Sequence, residues 1–251
     1  MLLHPTIDKL RAMRLNGMAN SLEDQLQMQD IESLAFEERL GLMVDRESSD
    51  RETRRLKSRL KKARLKQDAC TEDIDYRHPR GLDKSLIARL TSCDWIKDRL
   101  NLIITGSTGT GKTYLGCALA QKACREGYSA QYVRLPRLFQ DLHIAKADGR
   151  YIKIMNSFAK TDLLIFDDWG LIKLTDENRH DLLEILEDRN SSGSTLITSQ
   201  FPVKSWHELI GDPTMADAIL DRLIHSAYTI ELKGESMRKK KSKLTKSKDQ
   251  E

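Results

Sequence analysis

From Leu82 onward the chain alternates between two textures. Short apolar runs, Leu102-Ile103-Ile104, Tyr132-Val133, Leu163-Leu164-Ile165-Phe166 and Leu196-Ile197, have the length and composition of buried strands. Between them lie stretches with apolar residues at helical spacing, 112–124 among them. Strands that alternate with helices predict a parallel sheet wrapped by helices, because each helix carries the chain back and covers a sheet face.

The first part of the chain reads differently. Residues 6–66 contain no Pro, and no Gly after Gly41, and apolar residues recur at three- and four-residue steps, with Phe36, Leu40, Met43 and Val44 forming one stripe. This predicts a small all-α region. Gly17 and the stretch Gln29-Asp30-Ile31-Glu32-Ser33 interrupt the pattern, which points to three or four helices rather than one. Asp68 to Gly81 mixes acids with Tyr76 and Pro79 and has little periodicity, so it reads as a linker. The expected division is a helical domain over 1–67, a linker over 68–81, an α/β domain over 82–238 and a basic disordered tail over 239–251.

Composition sets limits on this picture. With 39% hydrophobic and 32% charged residues the chain is that of a charge-rich globular protein. Its longest purely aliphatic or aromatic runs are four residues, against the ~20 that span a bilayer. Met1-Leu2-Leu3-His4-Pro5 lacks the charged and apolar regions of a secretory signal, so a cytoplasmic location is expected. Cys70, Cys93, Cys117 and Cys124 form no C-x-x-C pair and the histidines no H-E-x-x-H, which argues for reduced thiols and against structural zinc.

Charge is concentrated rather than spread. Between Arg51 and Lys66, nine of sixteen residues are Lys or Arg and one, Glu52, is acidic. Like charges at i,i+4 destabilise a helix, and a polyanion relieves that cost. Arg54, Arg55, Lys57, Arg59, Lys61, Lys62 and Arg64 are therefore candidate phosphate-backbone contacts, with a solvated helical face as the alternative. The lysine-rich tail after Lys239 offers the same choice between a solvated arm and an auxiliary DNA contact.

The strongest chemical signal is Gly106-Ser107-Thr108-Gly109-Thr110-Gly111-Lys112-Thr113, a complete G-x-x-x-x-G-K-[ST] pattern between the strand 102–105 and the helix 112–124. Glycines let the loop turn its N–H groups inward around phosphate, where the dipole of the following helix assists. Lys112 is placed for the β- and γ-phosphates of ATP and the Thr113 hydroxyl for Mg²⁺.

A metal held there needs a carboxylate, and the run Leu163–Phe166 ends in Asp167-Asp168, a Walker B pattern. Side chains alternate along a strand, so the two acids should differ in role, Asp167 holding Mg²⁺ and Asp168 polarising the attacking water. That second acid points to hydrolysis. No N-K-x-D motif for guanine and no arginine-rich lid of a small-molecule kinase follows the loop. At the end of the next strand, Thr198-Ser199-Gln200 offers Gln200, and Ser199 as second choice, as a γ-phosphate sensor.

The order of P-loop, Asp167-Asp168, Thr198-Ser199-Gln200, Asp221-Arg222-Leu223 and Ser236-Met237-Arg238 resembles that of the IstB-type transposition helper ATPases, with DnaC-like helicase loaders as the nearest related class. The resemblance covers nearly the whole chain. It implies an AAA+ ATPase of the initiator clade, a P-loop NTPase sheet, and oligomers with ATP sandwiched between subunits. It further implies that Arg222 acts on the γ-phosphate of a neighbouring subunit and that Arg238 is a sensor II arginine. Gln200 stands where many relatives carry Asn.

For such helpers, ATP-bound subunits assemble on double-stranded DNA, remodel the site and present it to a separate transposase, and hydrolysis ends the assembly. A helicase loader acting on single strands would use identical nucleotide residues. From another class, a nucleotide-gated scaffold with negligible turnover would also keep the P-loop. No carboxylate triad for strand transfer can be assigned in this sequence, so transposase chemistry falls to a partner.

Overall fold

The computed structural model describes residues 5–237. The chain divides into two compact units, the first ending at Ser58 and the second beginning at Arg59. In the first unit α1 (Pro5–Ala12) and α2 (Asn16–Gln27) pack through Ile7, Leu10 and Ala19, joined by Met43 from α3 (Phe36–Ala63). The break between α1 and α2 falls before Asn16, so Gly17 lies inside a helix and does not interrupt one. Its glycine identity has another cause: a Cβ there would sit 2.6 Å from Cα of Glu47. The Gly17 N–H donates to Glu47 Oε2 at 2.7 Å, which satisfies an orphan donor of the first turn of α2. Burial would raise the Glu47 carboxyl, but Arg51 and the Gly17 and Met18 N–H groups outweigh it and hold the group below its ordinary value.

The expected stripe on α3 is helical but largely unburied. Phe36 is 70% exposed, and Leu40 and Val44 are exposed as well, while Met43 packs inward. The helix that carries the basic run ends at Ala63, short of Arg64 and Lys66, with Arg64 in the left-handed region at φ 50.

In the second unit α4 (Lys84–Thr91) and α5 (Asp94–Lys97) lead into β1 (Asn101–Gly106). There follow α6 (Lys112–Arg125), β2 (Ala130–Arg134), α7 (Leu135–Ala147), α8 (Tyr151–Ala159), β3 (Leu163–Trp169), α9 (Asp176–Arg189) and β4 (Ser194–Ser199). The chain closes with α10 (Trp206–Ile210), α11 (Pro213–Ile224) and β5 (Ala227–Leu232). The five strands form one parallel sheet in the order β2-β3-β4-β1-β5. Four of them contain the apolar runs that predict strands. The fifth, β5, is an edge strand that buries only alternate residues such as Ile230 and Leu232, and it has no continuous apolar run.

Residues 68–81 are not loose: Ala69 is buried against Cys117 and Ala118 of α6. All four cysteines are unpaired, and three of them are buried. No helix among the described residues is long and apolar enough to cross a membrane.

Candidate nucleotide site

In a parallel α/β sheet, ligands gather outside the carboxyl ends of the strands where the strand order reverses. Here β1 lies between β4 and β5, and its carboxyl end is Gly106. Gly106 has φ +145, and a Cβ on it would lie 2.2 Å from the carbonyl oxygen of Leu232 on β5. Gly109 (φ +86) and Gly111 (φ +99) then curl the loop into α6. A Cβ at Gly111 would meet the Arg80 guanidinium at 2.6 Å and one at Gly109 the Ser236 hydroxyl at 2.1 Å. The cradle therefore has no room for side chains, as a loop that approaches phosphate with its backbone requires.

Lys112 opens α6 and its ammonium donates to the carbonyls of Gly106 (2.6 Å) and Ser107 (2.9 Å). Arg80 braces the loop from the other side. It is buried, donating to the Thr110 carbonyl at 3.1 Å and the Asp75 carbonyl at 3.1 Å, and burial lowers its pKa. Met237 N–H donates to the Gly109 carbonyl at 2.8 Å. Beside the loop, Gln67, Asp75, Arg80, Tyr114 and Met237 help line a cavity of about 280 Å³.

Asp167 and Thr113 meet at the same place. The Thr113 hydroxyl donates to Asp167 Oδ1 at 2.9 Å, so a hydroxyl and a carboxylate, both hard oxygen donors of the kind Mg²⁺ takes, stand side by side next to the cradle. Asp167 is fully buried and also accepts from the hydroxyls of Thr198 and Tyr132 and from Lys66. Burial would raise its pKa, but the Thr198, Tyr132 and Thr113 hydrogen bonds and the Lys66 charge outweigh that and hold it low. The group stays ionised at neutral pH.

Asp168 is separated from Asp167 by more than strand alternation. The pairing of β3 with β4 shifts register between Phe166 and Trp169, and Asp168 adopts φ +67. A left-handed aspartate costs on the order of 1 kcal/mol, less than it would for a branched residue. The turn directs its carboxylate to Arg134 at the end of β2, with Nε 2.5 Å from Oδ2.

At the end of β4 the two sensor candidates separate. Gln200 accepts from the Thr108 hydroxyl of the loop at 2.7 Å. Ser199 is buried, donates to the Trp169 carbonyl at 3.0 Å and accepts from the Phe201 N–H at 3.0 Å, so it is committed to the backbone. Trp206 fixes the chain just beyond, with its indole N–H on the Phe201 carbonyl at 3.1 Å and its ring centroid 4.9 Å from that of Trp169.

Arg222 is not part of this cluster. It lies on α11, where its guanidinium pairs with Glu187 at 2.7 Å. Its carbonyl accepts from Asn101 at 2.9 Å, at the opposite end of β1 from Gly106. Arg238 and the tail 239–251 lie outside the described residues. Of the basic candidates, Arg55, Lys57, Lys61, Lys62 and Arg64 are exposed. Arg54 reaches Glu47 at 3.3 Å, and Arg59 donates to the Cys124 carbonyl at 2.8 Å, which commits it to packing.

Sequence reasoning did not find Arg80, Tyr132, Arg134 or the inward role of Lys66. For Arg134 a signal exists, since it ends a parallel strand at the edge where α/β sites form. The others are brought in by contacts that no local pattern records.

Comparison with known proteins agrees with this geometry. Residues 8–245 match the family described as IstB-like ATP binding protein. An insertion sequence ATP-binding protein of Sinorhizobium fredii is 51% identical over 95% of this chain and 98% of its own length. The ATP-binding protein of insertion sequence IS1162 from Pseudomonas fluorescens is 50% identical over 80% of this chain and 88% of its own. Among solved structures, DnaI superposes with a TM-score of 0.57 at 25% identity, covering 66% of this chain and 91% of DnaI. The DnaC helicase loader does so with a TM-score of 0.53 at 18% identity, covering 66% and 97%, a likeness of fold. With a P-loop AAA+ sheet and a family match over nearly its whole length, the chain belongs to the IstB-like ATP-binding proteins.

Proposed function

We propose that the chain is a Mg²⁺-dependent ATPase that helps transposition: with ATP it oligomerises on duplex DNA, remodels the target and recruits a separate transposase, and hydrolysis takes the assembly apart. The observation that carries this reading is the meeting of Lys112, Thr113 and Asp167 at the carboxyl ends of β1 and β3.

In this reading the loop N–H groups and Lys112 bind the phosphates, Thr113 and Asp167 hold the metal, and Gln200 lies within reach of the γ-phosphate. When bound, Mg²⁺ supplies positive charge that neutralises the phosphate oxygens. Asp168 accepts the proton of the attacking water or orients it, and Arg134 sets where that carboxylate points. Arg222 meets Asn101 at the far end of β1, about 16 Å of strand from Gly106, too far to serve its own site, so it completes the site of a neighbouring subunit. Arg238 is assigned to contact the nucleotide of its own subunit.

The helical region 1–67 is assigned to DNA and partner binding, residues 82–238 to the ATPase, 68–81 to the connection and 239–251 to a basic arm. Arg54, Arg55, Lys57, Lys61, Lys62 and Arg64 hold the DNA backbone, which positions a protein without reading sequence, and Arg59 adds its charge to that surface while its guanidinium packs on the Cys124 carbonyl.

The likeness to DnaI and DnaC favours a second reading, delivery of a replicative helicase to single-stranded DNA. The test is electron microscopy of the full chain with ATP or a slowly hydrolysed analogue on a duplex and, separately, on a single strand, together with phosphate release. Rings or spirals that require nucleotide and duplex support the helper. Assembly on single strands alone supports the loader. Assembly without DNA-stimulated phosphate release would leave a nucleotide-gated scaffold.

A further inference from the structure

The carboxylate of Asp167 carries a partner that phosphate chemistry does not require. Lys66 Nζ lies 3.3 Å from Asp167 Oδ2, the oxygen that also accepts from the Tyr132 hydroxyl, while Oδ1 accepts from Thr113 and Thr198. An ionised carboxylate offers about four acceptor sites, and four donors fill them. A divalent cation that draws on this carboxylate must therefore take a place from one donor.

The four are not equally easy to displace. Thr198 and Tyr132 stand on the central β4 and on β2, and Thr113 is itself a ligand candidate on the first turn of α6. Lys66 is a long side chain, two-fifths exposed, beyond the end of α3. Its ammonium can turn into water at little cost, and it repels a second cation a few ångströms away.

The backbone around it is well placed to report the exchange. Leu65 and Ala69 pack on Cys117, Ala118, Tyr114 and Tyr132, and the backbone of Lys66 and Gln67 meets the Cys117 thiol. Gln67 lines the cavity beside the loop. Residues 65–69 thus run along the helix that starts at the phosphate cradle.

We propose that Lys66 is an exchangeable counter-ion for Asp167: its ammonium holds the carboxylate in place, and Mg²⁺ arriving with nucleotide displaces it into solvent. The inference rests on the reading of Asp167 as the metal-holding carboxylate. Lys66 is a positioning residue, and its loss makes the metal easier to bind while leaving the phosphate contacts of the loop unchanged.

Two measurements on the full chain test this. In the first, Mg²⁺ is titrated against binding of a fluorescent ATP analogue, with no turnover needed. Lys66→Met is expected to lower the Mg²⁺ concentration at half-saturation about threefold to tenfold, the discount from a buried pair reflecting the exposure of the ammonium. Lys66→Arg is expected to stay near wild type and Lys153→Met, an exposed lysine on α8, to titrate as wild type. In the second, lysines of the unsubstituted chain are acetylated briefly and quantified by mass spectrometry. Lys66 reactivity should rise relative to Lys153 with nucleotide and Mg²⁺ and stay low with nucleotide and a chelator. Equal Lys66 reactivity in both conditions overturns the inference, as does a Lys66→Met titration that matches wild type.

Asp167→Asn separates this from the reading beneath it. If that variant keeps the wild-type Mg²⁺ dependence, Asp167 is not the metal carboxylate and both ideas fall. If it loses the dependence while Lys66→Met titrates as wild type, only the exchange of Lys66 fails.

Discussion

Arg222 and Glu187 form an ion pair of 2.7 Å at the end of the sheet opposite the phosphate loop, where the Arg222 carbonyl meets Asn101 at the start of β1. A pair with the acid half exposed contributes little to stability, so the arginine can leave it when a γ-phosphate from another subunit comes near. Arg222→Ala is expected to bind ATP normally and to lower DNA-stimulated phosphate release about 1000-fold, the scale of a missing arginine finger. Mixing it with Lys112→Ala, which keeps its arginine but not its phosphate site, should restore part of the rate. Normal turnover by Arg222→Ala alone would remove it from the site.

Asp168 allows stability and activity to be separated. Its φ of +67 favours glycine, which offsets the loss of the Arg134 pair, whose arginine is half exposed. Asp168→Gly is expected to unfold within about 1 kcal/mol of wild type in urea, while its ATP hydrolysis falls at least 100-fold. A large loss of stability would show that the carboxylate, and not the turn, holds this end of β3.

The depressed pKa of Asp167 carries a pH signature. In the unfolded chain the carboxyl takes up its proton near the ordinary aspartate value of about 3.9, and in the folded protein only below that. Its contribution to stability is therefore complete above about pH 4 and is lost as pH falls through the lower folded value. Urea unfolding between pH 2 and 6 should show a steep acid limb in the wild type and a shallower one in Asp167→Asn.

For the basic segment, the structure distinguishes residues that its composition groups together. Lys61 and Lys62 are solvent-facing, whereas Arg59 is held by the Cys124 carbonyl. The double change Lys61→Glu, Lys62→Glu is expected to weaken duplex binding and reduce its salt slope by about two units, one for each phosphate contact. Arg59→Ala should instead lower thermal stability. An unchanged salt slope in the double variant would return the segment to a solvated face.

The phosphate site was legible because its chemistry depends on consecutive residues: the whole cradle is written in 106–113, and the acid pair closes an apolar strand. Residues that complete it, Arg80, Tyr132, Arg134 and Lys66, come from other segments, and only the sheet order and the packing of residues 65–80 on α6 bring them there. Periodicity located α3 but not its surroundings: a stripe such as Phe36 and Val44 fits a core or an interface equally well in sequence, and here both are exposed. Gly17 reads as a break because turns use glycine, yet here the residue serves the close approach of Glu47. The edge strand β5 escaped because half-burial leaves only a short alternation of Tyr228, Ile230 and Leu232.

Gly106 has two reasons to be glycine, and only one of them concerns phosphate. The carbonyl of Leu232 on the adjoining strand fills the space a methyl group would need. A descendant of this chain that lost Lys112 and no longer bound nucleotide would still be confined to glycine at 106 by its own sheet, so that letter of the motif would outlive the activity it advertises.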